Sequence, residues 1–325
     1  MNTQPESIGS GSVPFLTDGG LETTVIFHHG IELPEFAAFH LMREESGRSL
    51  LRDYYSQYLE IAAELGTGFI LESPTWRANP QWGEKIGYSG SALRAANLES
   101  VAELEALRAE FASRVPELLI SGCVGPRGDG YSPANQMSAR EAESYHSTQI
   151  EILADAGVDF ISAMTINYVE EAIGIVRAAR AAGTAPVISF TVETDGRLPT
   201  GEALGDAIAR TDAESAGGAA YFMINCAHPT HFDGTLQPGT DWSQRIRGIR
   251  ANASRLSHEE LDESETLDDG DPADLADRLR RLKATLPELA VFGGCCGTDH
   301  RHIRAIGDAC VRSQTENQRK AAMAS

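Results

Sequence analysis

The sequence predicts a single-domain α/β fold of the (β/α)8, TIM-barrel type. Three observations predict it. Short runs that are apolar on both faces, as buried parallel strands are, alternate with amphipathic or alanine-rich helical runs. Eight such units fit into roughly 310 residues, the scale of one closed barrel. Neither an internal repeat nor a compositional shift divides the chain. Strand–helix alternation of this kind folds as a doubly wound sheet or a barrel, and eight units favour closure.

The elements follow in order. A first strand at 13–18 ends in Gly19-Gly20. A helical run at 51–65 leads to a strand at 68–72, and one at 92–114 leads to 118–123. The pairs 139–156 with 160–164, 169–182 with 186–191, and 203–216 with 220–226 repeat the pattern. The seventh strand, 248–252, has the weakest signature, because it lies in Arg-Gly-Ile-Arg-Ala-Asn-Ala. A helix at 272–284 precedes the last strand, 290–294. Between them, residues 258–274 carry eight acidic side chains from Glu259 to Asp271 and are expected to be an exposed loop. Residues 1–12, polar and Gly/Ser-rich, are expected to be a disordered leader. Residues 13–312 would then form the barrel, and 313–325 a tail with a fraying helix end.

Composition narrows the partners. Lys+Arg total 27 against 47 Asp+Glu, a formal net charge of -20. Phosphates would be repelled, which argues against nucleic acid and against an anionic membrane. No apolar run reaches the roughly 18 residues needed to span a bilayer. The N-terminus lacks the basic start and apolar stretch of a secretory signal. The odd count of five cysteines does not suggest a disulfide framework. A cytoplasmic setting follows, where clustered cysteines are metal ligands or catalytic groups more often than bridges. A homo-oligomer is left open.

Cys226 closes the run Tyr-Phe-Met-Ile-Asn-Cys, and Cys295 and Cys296 close Val-Phe-Gly-Gly-Cys-Cys-Gly-Thr. In a barrel these are the C-terminal ends of strands six and eight, the rim that carries chemistry. Three thiolates suit Zn2+, and three protein ligands leave a fourth position for substrate, as in a catalytic rather than a structural site. Gly293, Gly294 and Gly297 let adjacent cysteines face one ion. Cys226 precedes Cys295 by 69 residues, so barrel placement, not spacing, unites them. Cys123 and Cys310 are expected to be small apolar fillers. His228, His300 and His302 are expected at the rim rather than on the metal.

These motifs resemble the homocysteine S-methyltransferase family. Gly-Gly-Cys-Cys-Gly-Thr with the upstream Ile-Asn-Cys is similar to its zinc signature. Thr17-Asp18-Gly19-Gly20-Leu21-Glu22-Thr23 resembles its opening motif, and Ser121-Gly122-Cys123-Val124-Gly125-Pro126 its Gly-Ser-Val-Gly-Pro turn. Asn252 in Ala-Asn-Ala-Ser resembles its Pro-Asn-Ala-Gly segment. The resemblance covers roughly residues 14–310 and implies a (β/α)8 barrel, a zinc ion on Cys226, Cys295 and Cys296, and methyl transfer to a thiol. It implies that Asp18 lines the acceptor pocket near the sulfur, and that the backbone at Val124 and Gly125 contacts the acceptor's carboxylate. It also implies a glutamate for the acceptor's amine just after the fourth strand. Aligning Val169-Glu170-Glu171-Ala172 puts uncharged Met164 or Thr165 there, so Glu193, Glu72 or another acid would have to substitute.

The expected chemistry follows from thiol acidity. A free thiol with pKa near 8.5 is mostly protonated at neutral pH, and zinc removes the proton. The partners are then a small-molecule thiol and an activated methyl donor. Homocysteine is the default acceptor, giving methionine. The preferred donor is a small sulfonium such as S-methylmethionine, ahead of a betaine. Trp76 and Tyr168 are the expected aromatic wall for its positive charge, with Glu72 and Glu193 as acids at the mouth. No Gly-x-Gly-x-x-Gly follows a strand, as a nucleotide-type methyltransferase would have. Alternatives are a different thiol or selenol acceptor, and a non-catalytic zinc- or thiol-binding barrel. A zinc hydrolase would need a His-Glu-x-x-His type motif, which is absent.

Overall fold

The computed structural model describes residues 4–9, 13–264 and 266–312. Eight parallel strands close one barrel: β1 (Phe15–Leu16), β2 (Gly68–Glu72), β3 (Leu118–Val124), β4 (Phe160–Ile166), β5 (Pro186–Phe190), β6 (Tyr221–Asn225), β7 (Ile246–Ala251) and β8 (Val291–Gly294). Each pairs with its sequence neighbours, and Phe15 sits opposite both Gly68 and Val291 to close the ring. The (β/α)8 expectation holds, and the strand expected from the weakest pattern, 248–252, lies within β7 apart from Asn252.

Nearly every strand residue is buried, because the barrel is filled inside and covered by helices outside. The outer core packs helices such as Glu45–Leu65, Ala139–Asp155 and Val169–Ala181 on outward strand residues, among them Leu71, Ile120, Ile161 and Ile188. Inside, the floor is apolar, with Phe15, Ile70, Leu119, Phe160, Val187 and Val291 in contact. Above it the lining turns polar, with Thr17, Glu72, Ser121, Ser162 and Arg250 around a narrow internal cavity. That change of character marks the C-terminal end as the functional one.

Two expectations are corrected. Within residues 1–12, expected as a disordered leader, the described part folds onto the barrel. Pro5–Ser7 forms a 3-10 turn, and Ile8 is completely buried against the floor cluster. Arg247 donates to the Ile8 carbonyl at 2.6 Å. The reason is that a barrel floor open to water would leave Phe15 and Val291 wet. Ile8→Ala is therefore expected to cost about 2–4 kcal/mol, the usual loss for a buried isoleucine, read as a lower urea midpoint. The second correction concerns 258–274, expected as a loop: its start is a helix, His258–Asp262, because Ser257 and Glu260 form a capping box. The expected tail, 313–325, lies outside the described residues.

No described helix is long and apolar enough to cross a membrane.

Candidate active site

The three cysteines meet. Cys226 follows β6 with φ of 54°, a left-handed turn that ends the strand. Cys295 and Cys296 follow β8, and the β8 end is pinned from two sides: Gly294 N–H donates to the Asp18 carbonyl at 3.0 Å, and Cys295 N–H to Ala251 at 2.8 Å. A Cβ on Gly294 would lie 2.0 Å from Thr298 Oγ1, so only glycine fits before the cysteine pair. The three Sγ atoms all lie within 4.8 Å of one another. Cys226 and Cys295 are joined as a disulfide, with Cα atoms 5.4 Å apart, and Cys296 is the third sulfur. Cys123 and Cys310 are buried elsewhere, as fillers should be.

These residues fit a metal. Sulfurs bound to one tetrahedral zinc at about 2.3 Å sit about 3.8 Å apart, and the observed cluster spans that scale. Their reduced form would offer three soft ligands from two strand ends. Asn225 supports them: its Nδ2 donates to Cys226 Sγ at 3.4 Å and reaches Cys295 Sγ at 3.9 Å. Its Oδ1 accepts from Ser189 Oγ and the Thr165 N–H, which fixes the amide. Thr165, with φ of 61°, turns its hydroxyl to Cys226 Sγ at 3.6 Å. Such N–H···S and O–H···S contacts spread thiolate charge and orient ligands. His228, His300 and His302 are not among the converging ligand groups. Burial pushes His228 down to about 4, and it bonds Thr230.

Asp18 and Glu72 do not present free carboxylates. Arg250 enters the barrel between them. Its Nη2 donates to Asp18 Oδ1 at 2.7 Å, its Nη1 contacts Glu72 Oε2, and its Nε donates to the Gly294 carbonyl at 3.1 Å. Tyr54 hydroxyl donates to Asp18 Oδ2 at 2.9 Å and Ser162 hydroxyl to Glu72 Oε1 at 2.6 Å. Burial pushes the Asp18 carboxyl above its ordinary range, with Arg250 acting against it. Glu72, expected as an acid at the mouth, is thus held inside the barrel by Arg250. The Asp18 carbonyl accepts from the Gly294 N–H just before the cysteine pair, and its carboxylate is paired with Arg250.

The expected aromatic wall is also revised. Tyr168 is buried, and its hydroxyl oxygen accepts from the Met137 N–H, so it supports a loop. Trp76 borders the mouth, yet one ring face carries the Arg77 guanidinium 3.9 Å away, and its Nε1 donates to the Met164 carbonyl. Tyr131 was missed. It stacks on His258 at 3.9 Å between centroids, and its hydroxyl lies 4.0 Å from Cys296 Sγ. His258 Nε2 lies 2.6 Å from the Cys226 carbonyl, and Nδ1 lies 3.3 Å from Glu193 Oε1. Glu193 therefore orients His258 rather than facing the mouth alone. Tyr131 sits on an irregular loop, where no periodicity announces it, and His258 opens the five-residue helix His258–Asp262, too short to show a period.

The remaining expected contacts divide. Gly125 packs under Trp76, where a Cβ would lie 2.5 Å from Nε1, and its N–H is committed to the Trp76 carbonyl at 3.0 Å. That N–H does not wait for a carboxylate. Val124 is the buried last residue of β3. Asn252 is buried beside the cysteine strands, its N–H bonded to Ala227 and its Oδ1 without a partner. Met164 lines the barrel interior and Thr165 touches Cys226, so neither brings charge.

Comparison with known proteins accords with this geometry. The chain is similar to the homocysteine methyltransferase MmuM from Escherichia coli in its metallated form, with 20% identity, TM-score 0.68, and coverage of 91% of this chain and 95% of that one. The oxidized form of MmuM gives 21% identity, TM-score 0.68, and coverage of 91% and 96%. At such identity these likenesses speak to the fold. A search of curated proteins finds no match. The family model described as homocysteine S-methyltransferase matches residues 15–310. With that match spanning nearly the whole barrel, the chain belongs to the homocysteine S-methyltransferase family and is an S-methyltransferase.

Proposed function

We propose that the chain is a zinc-dependent thiol methyltransferase that methylates homocysteine to methionine from a small sulfonium donor such as S-methylmethionine. The observation that carries this reading is the convergence of Cys226, Cys295 and Cys296 at the C-terminal end of a barrel of this family. Cys226, Cys295 and Cys296, once reduced, would hold the ion. Bound there, zinc supplies Lewis acidity that keeps an acceptor thiol deprotonated at neutral pH.

The chain's own residues do the rest. Asn225 and Thr165 hold the sulfur cluster in place by hydrogen bonds. Arg250 holds both buried carboxylates, Asp18 and Glu72, beneath the cluster. Tyr131, stacked on His258 with its hydroxyl 4.0 Å from Cys296 Sγ, replaces Tyr168 as the wall for a sulfonium. In the reaction the acceptor thiolate attacks the methyl carbon. A new S–CH3 bond forms as the donor's S–CH3 bond breaks, and its electron pair stays on the donor sulfur. One anion and one cation become two neutral thioethers, and the thiol proton is released to water. A reducing cytoplasm suits a site whose ligands otherwise pair as Cys226–Cys295.

The test uses protein reduced and loaded with zinc, S-methylmethionine with both S-methyl groups as CD3, and a panel of thiols in which the homocysteine carries a carbon-13 backbone, read by mass spectrometry. Methionine carrying both the carbon-13 backbone and CD3 supports the reading. CD3 on another thiol or a selenol instead redirects the acceptor. Transfer to no thiol from any sulfonium or betaine donor refutes it in favour of a binding barrel.

A further inference from the structure

The loop between β3 and the helix Ala139–Asp155 has no regular secondary structure, yet its backbone is gripped. Four successive carbonyls accept from side chains that follow β2 and β4. Trp82 Nε1 donates to the Arg127 carbonyl at 3.0 Å and Arg77 Nη1 to that of Gly128 at 3.0 Å. Asn167 Nδ2 donates to the carbonyls of both Asp129 and Gly130 at 2.9 Å. The far end is tied as well, because the Met137 N–H donates to the Tyr168 hydroxyl at 3.1 Å. A loop without a hydrogen-bond ladder of its own is ordinarily mobile. This one is held at each residue from Arg127 to Gly130.

The grip decides where Tyr131 goes. β3 and β7 lie on opposite sides of the ring, four strands apart. Tyr131 nevertheless stacks on His258, which follows β7, and its hydroxyl lies 4.0 Å from Sγ of Cys296, which follows β8. The segment is thus a strap across the mouth. On its way it passes Thr165, where a Cβ on Gly130 would lie 2.9 Å from Cγ2, and the Thr165 hydroxyl reaches Cys226 Sγ at 3.6 Å. Asp129 Oδ1 accepts from the Tyr131 and Ser132 N–H groups at 2.8 and 2.9 Å and sets the turn on which the ring stands. Asn167 holds the two residues directly before Tyr131. It is buried just after β4, and both bonds leave from its NH2 end, which settles the orientation of the amide. Its Oδ1 is buried without a partner among the described residues. An apolar side chain would strand no oxygen there, so packing alone does not account for the amide.

We propose that Asn167 is a positioning residue for the methyl donor: by holding the Asp129 and Gly130 carbonyls it sets the Tyr131 ring across the mouth, where the ring receives the donor's cationic sulfur beside Cys296. This rests on the thiol-methyltransferase reading above, in which Tyr131 is the wall for a sulfonium. A cation gains from an aromatic ring only within about 6 Å of its centre, so a ring on an ungripped loop would give the donor little. Fixing the loop on folding removes the ordering cost that donor binding would otherwise carry.

The experiment uses zinc-loaded full chain. Binding of S-methylmethionine, and of methionine as the uncharged control, is measured by calorimetry, with KM for donor and for homocysteine in parallel. Hydrogen exchange reports on residues 127–138. Asn167→Ala is expected to speed exchange in that segment, to weaken S-methylmethionine about tenfold, the scale of one cation–π contact, and to leave methionine binding, homocysteine KM and zinc content as in wild type. Tyr131→Leu should match it, and Tyr131→Phe, which keeps the ring, should not. The double variant Asn167→Ala/Tyr131→Leu should bind S-methylmethionine no more weakly than Tyr131→Leu alone, because Asn167 acts through that ring. Asp129→Ala, at an exposed loop position, should shift donor binding in the same direction, and it carries the test if Asn167→Ala does not fold. Additive losses in the double variant, equal weakening of methionine or homocysteine, or wild-type S-methylmethionine binding by Asn167→Ala overturns the assignment. If the pattern appears in binding and exchange while no thiol is methylated, the positioning role stands and the catalytic reading falls. If methyl transfer proceeds and the variants fail to discriminate, the reverse holds.

Discussion

Cys296→Ala is expected to abolish stoichiometric zinc binding and to lower kcat/KM for thiol methylation by at least about a hundredfold. The expectation follows from the donor set. Among the described residues three sulfurs converge, and two protein ligands hold zinc far less firmly than three. Without the ion, an acceptor thiol with pKa near 8.5 stays mostly protonated at neutral pH. Cys226→Ala and Cys295→Ala should behave alike. Asn225→Ala should fall less, by about 10- to 100-fold, because it removes hydrogen bonds to the sulfurs and not a ligand. Metal content by mass spectrometry and single-turnover rates check the order. Full methyl transfer by Cys296→Ala would contradict the account of the metal.

Arg250→Met is expected to be the most destabilising single change in the barrel interior, by about 3–5 kcal/mol at pH 7–8. Removing one partner of a buried ion pair leaves uncompensated charge, and here one guanidinium serves both Asp18 and Glu72. The pH dependence has a definite sign. Burial already raises Asp18, and Arg250 opposes that. Without Arg250 the folded-state pKa rises further above the unfolded value. The deficit is therefore small below the unfolded pKa, where the carboxyl is protonated in both states, and grows as pH rises through the folded pKa. Urea midpoints for the variant should approach wild type as the pH is lowered from neutral toward the ordinary carboxyl range, because Asp18 is raised. Adding Glu72→Gln to Arg250→Met should recover part of the loss, because one of the stranded charges is gone. A midpoint independent of pH would count against the triad.

Much of this was legible in the sequence. The barrel was, because buried parallel strands write themselves as short apolar runs between helices. The cysteine cluster was, because two strand ends rich in soft ligands and glycine have few other uses. Arg250 was not. It sits in the strand with the weakest pattern, and its partners lie 232 and 178 residues away, so the cancellation of charge exists only once the barrel closes. That hidden pairing is why Glu72 looks like an acid at the mouth and is not one. Tyr131 and His258 were missed for another reason: Tyr131 lies on the loop after β3 and His258 at the start of the short helix His258–Asp262 after β7, and a stack between two such segments leaves no periodic trace. Tyr168 showed the converse, an aromatic well placed in sequence whose hydroxyl is spent on the Met137 N–H. Ile8 was hidden in a Gly/Ser-rich stretch, where a single apolar residue suffices to seal a floor.

The central claim is that the three cysteines hold a zinc ion with one position left for the acceptor. X-ray absorption at the zinc edge of reduced, zinc-loaded protein, recorded with and without selenohomocysteine, tests it most directly. The account predicts three sulfur neighbours and one lighter atom in the free protein, and a new zinc–selenium contact once the selenol is added. A zinc ion with four protein sulfurs, or a spectrum that selenohomocysteine leaves unchanged, would contradict it.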